Sequence, residues 1–355
     1  MKFAKLFIPG PTHVSDELLE EFSNPQIGHR TPEISQIIDC IVKGVQKLLY
    51  TKNHIYLVSH AATGLWEMGT KNSVQKGVLH AVNGAFSSKW ALSSEQLGIE
   101  TKRLNFEWGN GIDIDLVDKE LSSGKYDVFA MVHNETSTGA MSNLGEMSSL
   151  LRSKYSDIIW LVDSVSSMAG AKIEVDKLGI DFILSSTQKA WGLPAGFSIC
   201  AVSDRLIKKS EKMKNKGYFL DILTYEKYFL KNQTPSTPSI PHMYGMKKVL
   251  ELIDQEGLEN RWKRHIEMSK YVRDWVNTHN QNLFTKNDAI SCTLTCVRNV
   301  QEWDIEKISQ RLLDNGYRMD RGYGKFRYKT FRIPHMGNIY LDDLKEYLNI
   351  FENLI

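Results

Sequence analysis

Phe182-Ile183-Leu184-Ser185-Ser186-Thr187-Gln188-Lys189-Ala190-Trp191-Gly192 is the stretch on which the reading of this chain turns. An apolar run ends in small hydroxyl residues, then a lysine, then a glycine turn. The run predicts a buried strand over 181–185, with Lys189 just beyond its carboxyl end. In open α/β sheets that edge is where ligands bind. A lysine is ordinarily a surface residue, so position alone does not give it a task. A partner does. Ile158-Ile159-Trp160-Leu161-Val162-Asp163 is a second apolar run, closed by a carboxylate and followed by Ser164-Val165-Ser166-Ser167. Burying that carboxylate is costly unless a positive group meets it. Its plainer use is to cap a following helix.

Asp163 and Lys189 end successive predicted strands at one sheet edge, 26 residues apart (189 − 163). One carboxylate and one lysine so placed meet the needs of pyridoxal phosphate. The carboxylate keeps the pyridine nitrogen protonated and the lysine forms the imine. Two further loops fall at the same edge. His133-Asn134-Glu135-Thr136-Ser137-Thr138-Gly139 follows an apolar run and offers polar groups to a ring hydroxyl, although strand-to-loop turns favour such residues anyway. Ser59-His60-Ala61-Ala62-Thr63-Gly64 precedes a helical segment. Small residues there expose backbone N–H groups to an anion, or simply make a turn. Gln188 offers a side-chain donor to the same anion.

Working outward, apolar runs alternate with amphipathic segments from about 54 to 205, the pattern of a βαβ sheet. Strands are expected at 54–59, 78–82, 127–132, 158–163, 181–185 and 196–202, with helices such as 86–97 and 144–153. Continuous apolar runs indicate parallel strands covered on both faces. Residues 204–217 are strongly basic and read as a solvated helix face. Gln233-Thr234-Pro235-Ser236-Thr237-Pro238-Ser239-Ile240-Pro241 cannot be regular helix or central strand. A long helical pattern over 243–279 follows, and about 290–355 alternates strand and helix. The division expected is an N-terminal arm (1–20), a large domain (21–242), a long connecting helix (243–280) and a small α+β domain (281–355).

The chain has 355 residues, 42% hydrophobic and 24% charged, too many for one typical core. Its net charge of +2 gives no global field toward nucleic acid or membrane. The short apolar run before Pro9-Gly10-Pro11 is not a signal peptide, and no stretch has the length of a membrane span. Four scattered cysteines, Cys40, Cys200, Cys292 and Cys296, fit a reduced, cytoplasmic setting. Cys292 and Cys296, four apart, are expected on one face of a strand. Core packing is their reading, since no nearby histidine completes a metal site.

Taken in order, these segments resemble the class V aminotransferases of pyridoxal-phosphate fold type I. The likeness covers essentially the whole chain. It runs from Pro9-Gly10-Pro11-Thr12 through Gly28-His29-Arg30, Ala61-Ala62-Thr63-Gly64, Asn83-Gly84-Ala85-Phe86, 133–139, Asp163 to Ser167 and Ser186 to Lys189, to Thr330-Phe331-Arg332-Ile333. The branch it is most similar to is the serine/alanine–glyoxylate (or pyruvate) aminotransferases. The resemblance implies an α/β large domain with a mostly parallel seven-stranded sheet flanked by helices, and a smaller C-terminal α+β domain. It implies Lys189 as the Schiff-base lysine and catalytic base, and Asp163 as partner of the pyridine nitrogen. It implies Gln188, with the 61–63 loop, as phosphate ligand, Phe86 stacked on the ring and Thr136 in contact with it. Arg332 would clamp the substrate α-carboxylate, a bidentate task that suits a guanidinium. Thr237, on the proline-rich segment, would reach the phosphate in the other subunit of a homodimer. Relatives usually carry Ser-Gly-Thr where this chain has Ala61-Ala62-Thr63, so one hydroxyl is missing.

Two rival readings stay open. His29-Arg30 resembles a pair that in phosphoserine aminotransferases holds the substrate phosphate, which makes a phosphoserine–2-oxoglutarate enzyme the alternative. Relatives with small uncharged substrates also carry Gly-His-Arg, where Arg30 would be structural. The basic run Arg321 to Lys329 adds charge near Arg332, or is a solvated loop. A class V lyase or desulfurase would need a mobile cysteine facing the cofactor, which strand-like alternation at Cys292 and Cys296 does not offer.

Overall fold

The apolar runs become strands because each is buried on both faces. Seven strands form one sheet in the order His54–Val58, Ser198–Val202, Phe182–Ser186, Ile159–Asp163, Val128–Val132, Val78–Val82, Thr101–Asn105. Neighbours are parallel except at 198–202, which runs antiparallel to both of its own. This is the expected mostly parallel α/β sheet. In the computed structural model, residues 3–286 and 289–355 are described. Met1 and Lys2 of the expected arm, and Asn287 and Asp288 of the expected small domain, lie outside them.

Every residue of the five inner strands is buried. Alternate side chains serve two cores. Phe129, Met131, Trp160 and Val162 share one with the helices Pro32–Leu48 and Ile240–Glu256. Val128, Ala130, Ile159 and Leu161 share the other with Leu65, Trp66 and Trp90 of the helices Ala62–Lys71 and Ala85–Gln96. The seventh strand, Thr101–Asn105, has no apolar run to announce it. It lies at the sheet edge and pairs only with 78–82. Charged residues such as Lys102 and Arg103 suit an edge that meets water.

The expected single helix over 243–279 is two helices. Ile240–Glu256 ends at Gly257, whose φ of 81° belongs to a helix stop, and Leu258–Thr278 starts anew. Residues 233–239, between Phe229 and Ile240, are irregular. A separate core joins Trp275, Val297, Leu312, Phe331 and Phe351. It is built on the antiparallel sheet Asn282–Leu283, Leu294–Arg298, Thr330–Pro334. The strand Lys5–Phe7 pairs in parallel with Tyr317–Met319, and Phe7 stacks on Tyr347 at 4.0 Å between centroids. The cysteine expectation needs correcting. Cys296 lies in the strand 294–298, but Cys292 precedes it, with its thiol toward the Gly170 carbonyl at 3.6 Å. The two do not share a strand face.

Candidate active site

The loops after 58, 82, 132, 163 and 186 emerge at the same edge, because the strands before them run the same way. They surround a cavity of about 290 Å³ lined by Lys189, Asp163, Phe86, Thr136, Gln188 and the 61–63 loop. That is at the lower end of small-molecule sites, roughly 300–1,000 Å³.

Lys189 is buried, and its Nζ donates to the Pro9 carbonyl at 2.8 Å. Gly10 lets the chain pass this closely: its φ is 155°, and a Cβ there would fall on the lysine amine. Burial, then the positive charge of Arg332, push the Lys189 pKa down to about 8, against the pull of Asp163 and Asp320. Asp163 is 3% exposed. Its carboxylate accepts from Trp66 Nε1 at 2.6 Å and from the Val165 N–H at 2.8 Å. Burial outweighs these bonds and pushes its pKa up to about 6. The site thus holds an amine that can lose its proton near neutrality and a carboxyl that still lacks a full complement of charge.

Phe86 opens the helix 85–96 and lies between Lys189 and Tyr323. The Lys189 Nζ is 5.9 Å from its ring centroid and the Tyr323 ring 5.3 Å away. Its position is set by Glu135, fully buried, which accepts from the backbone N–H groups of Phe86 and Ser87 at the helix start. Thr136 Oγ1 is 2.5 Å from Ser166 Oγ. Gln188 Oε1 accepts from Ser186 Oγ at 2.6 Å. At the start of the helix 62–71, Ala61 has no side chain that caps it, so the first N–H groups remain open to an anion.

Arg332, on the strand 330–334, is 6% exposed. Its Nε and Nη2 donate to the two oxygens of Asp320, at 2.9 and 2.7 Å, and Nη1 donates to the Thr136 carbonyl at 2.8 Å. Burial works against its charge, but the Asp320 carboxylate overrides this and holds the pKa above its ordinary value. Arg332 therefore touches the cavity wall through Thr136. Arg30, His29 and Thr237 are not among the cavity's lining. The Arg30 guanidinium donates to the carbonyls of Thr234 at 2.8 Å and Pro235 at 3.4 Å, and stacks over Tyr228. Thr237 is exposed. Cys292 and Cys296 are also off the cavity, and burial pushes both thiols up to about 12.

Sequence reasoning did not single out Trp66, Pro9, Glu135 or Asp320. Pro9 had a local signal in the Pro-Gly-Pro turn and Glu135 in the polar 133–139 segment; Trp66 and Asp320 had none. The residues fit pyridoxal phosphate. A buried primary amine, a buried carboxyl short of a cation, an aromatic face and an uncapped helix start meet in one cavity of suitable size. Among the described residues no cluster of side chains could hold a metal ion.

Several known proteins similar to this chain are named as aminotransferases. The aminotransferase class-V family model matches residues 11–322. An uncharacterized aminotransferase of Methanocaldococcus jannaschii is 35% identical over 341 residues, covering 94% of this chain and 87% of that protein. A serine–glyoxylate aminotransferase of Arabidopsis thaliana is 30% identical over 344 residues, covering 94% and 86%. The crystal structure of an alanine–glyoxylate aminotransferase from Nostoc sp. superposes with a TM-score of 0.93 at 26% identity, covering 100% of this chain and 96% of that one. Sequence match, superposed fold and the paired amine and carboxyl lead to one conclusion: the chain belongs to the class V aminotransferase family and is a pyridoxal-phosphate-dependent transaminase.

Proposed function

We propose that the protein moves an amino group between a small amino acid, serine or alanine, and a 2-oxo acid, glyoxylate or pyruvate, by two half-reactions on one site. The observation that carries this choice is the disposition of cations. Among the described residues Lys189 is the one basic residue lining the cavity, Arg332 borders it, and Arg30 is turned to the carbonyls of 234 and 235. That favours a donor with one carboxylate and no distal phosphate over the phosphoserine alternative. The raised thiol pKa values of Cys292 and Cys296, and their absence from the cavity, speak against a desulfurase.

Bound pyridoxal phosphate supplies an electron sink conjugated to the substrate Cα. The protein's residues do the rest. Lys189 Nζ would anchor the cofactor covalently and, once the substrate amine has displaced it, would take the proton from Cα. A pKa of about 8 suits a base that works near neutrality. Asp163, its orientation fixed by Trp66 and Val165, would hold a proton at the ring nitrogen. Phe86 and Thr136 would flank the ring, and Gln188 with the N–H groups of the 61–63 loop would hold the phosphate. Arg332 takes the α-carboxylate. The same reading makes the protein a cytoplasmic homodimer, with Thr237 offered to the partner's site, and divides the chain into an arm, a large domain, a connecting helical segment and a small domain. An exposed Thr237 and four free cysteines accord with it. No described helix is long and apolar enough to cross a membrane.

The test is kcat/KM for alanine, serine and phosphoserine against glyoxylate, pyruvate and 2-oxoglutarate, in wild type and Arg30→Ala. Preference for alanine or serine, unchanged in the mutant, is expected. Phosphoserine as best donor, lost selectively in Arg30→Ala, would establish the alternative.

A further inference from the structure

Arg332 has five N–H donors. Two go to Asp320 and one to the Thr136 carbonyl. The two left, one on each terminal nitrogen, are the minimum for one bidentate carboxylate contact. Asp320 is itself fixed: Oδ1 also accepts from the Gly322 N–H at 2.9 Å, and its backbone bridges Arg332 across the strands. Both side chains are almost dry, at 13% exposure for Asp320 and 7% for Arg332. Their charges cancel in a poorly screened place, close enough to Lys189 to act on it. Three other basic side chains of this loop face aromatic rings that do not line the cavity: Arg321 and Arg327 over Tyr328, Lys325 over Trp108.

We propose that Asp320 determines the substrate charge class: it orients Arg332 for one carboxylate and neutralises the surplus charge that a second anionic group would need. The site therefore accepts monocarboxylic donors and acceptors and refuses dicarboxylic ones. Asp320 is a positioning residue, since it acts through Arg332. This rests on the transaminase reading with Arg332 as carboxylate clamp.

The test uses holoenzyme of wild type, Asp320→Asn and Asp320→Glu. Two quantities are measured: kcat/KM for alanine and aspartate, and the Kd ratio of propionate to succinate, followed by the cofactor absorbance. In Asp320→Asn the aspartate-to-alanine ratio should rise at least about tenfold, with succinate binding tightened relative to propionate. Asp320→Glu should keep the wild-type ratios. An equal loss for both donors with both ratios unchanged means that Asp320 only supports the fold, and overturns the proposal. So does a wild type that binds succinate as tightly as propionate. The choice of serine or alanine as donor is judged separately, by the wild-type donor ranking. The role of Asp320 is judged by how that ranking moves.

Discussion

Two aspartates sit at opposite edges of the same sheet, each 3% exposed, and they are treated very differently. Asp181, where the strand 182–186 begins, accepts from Arg205 Nε at 2.9 Å, from Arg205 Nη2, from Ser203 Oγ at 2.8 Å and from the Trp160 N–H at 2.9 Å. Asp163, where the strand 159–163 ends, has the Trp66 indole and one backbone N–H. A guanidinium completes the first carboxylate, which then needs nothing from outside the chain. The second is held in place but left short of positive charge. That shortage is what a protonated pyridine ring would fill. Burial of a carboxylate is thus not itself a functional sign; what marks Asp163 is burial without a matched cation in the wall of the Lys189 cavity.

The largest effect should come from Lys189. Lys189→Ala should lower turnover by at least about 10³-fold, as loss of both anchor and base requires. Near-normal transamination by this variant would sink the assignment. At the other sheet edge, Arg205→Met leaves Asp181 buried without its cation. It should cost about 3 kcal/mol of stability in denaturant unfolding. The folded enzyme should keep its kcat within about twofold, as expected where no site group is touched. A large fall in kcat at unchanged stability would reverse the contrast between the two edges. Asp163→Asn should show the opposite signature. The cofactor stays bound, stability holds, and kcat falls more than about tenfold, or 1.4 kcal/mol. A smaller change would mean that no proton is held at the ring nitrogen by Asp163.

The smallest effect is read by pH at the Lys189 edge, in cofactor-free protein. Lys189 has a folded pKa lowered from 10.5 to about 8, so its buried charge costs stability below 8, and the cost fades as pH rises to 10.5. Asp163, raised from 3.8 to about 6, costs stability increasingly as pH rises through that window. Lys189→Met should therefore be more stable than wild type at pH 7, by about 1–2 kcal/mol, with the gap closing toward pH 10.5. Equal gaps at both values would show that Lys189 is not buried with its charge.

What could be read beforehand follows from the same physics. Strands buried on both faces are written as uninterrupted apolar runs, so six of the seven could be placed. Thr101–Asn105 could not, because an edge strand facing water carries Lys102 and Arg103 instead. The helix stop at Gly257 was hidden because apolar periodicity continues on both sides of it. Lys189 and Asp163 were visible as charges closing apolar runs. Their partners were not: Trp66 is 97 positions from Asp163 and Pro9 180 from Lys189, and only the fold brings them together. Arg30 shows the converse. It sits in a recognisable Gly-His-Arg segment, yet its guanidinium serves the backbone of 234 and 235.

The central claim is that the buried amine at the carboxyl edge of the sheet is the cofactor's covalent anchor. Holoenzyme reduced with borohydride, digested and mapped by mass spectrometry tests it directly. The account predicts the pyridoxyl-phosphate mass on the peptide that contains Lys189 and on no other lysine. The same mass on another lysine, or no modified peptide from an enzyme whose yellow colour the borohydride has discharged, would contradict it.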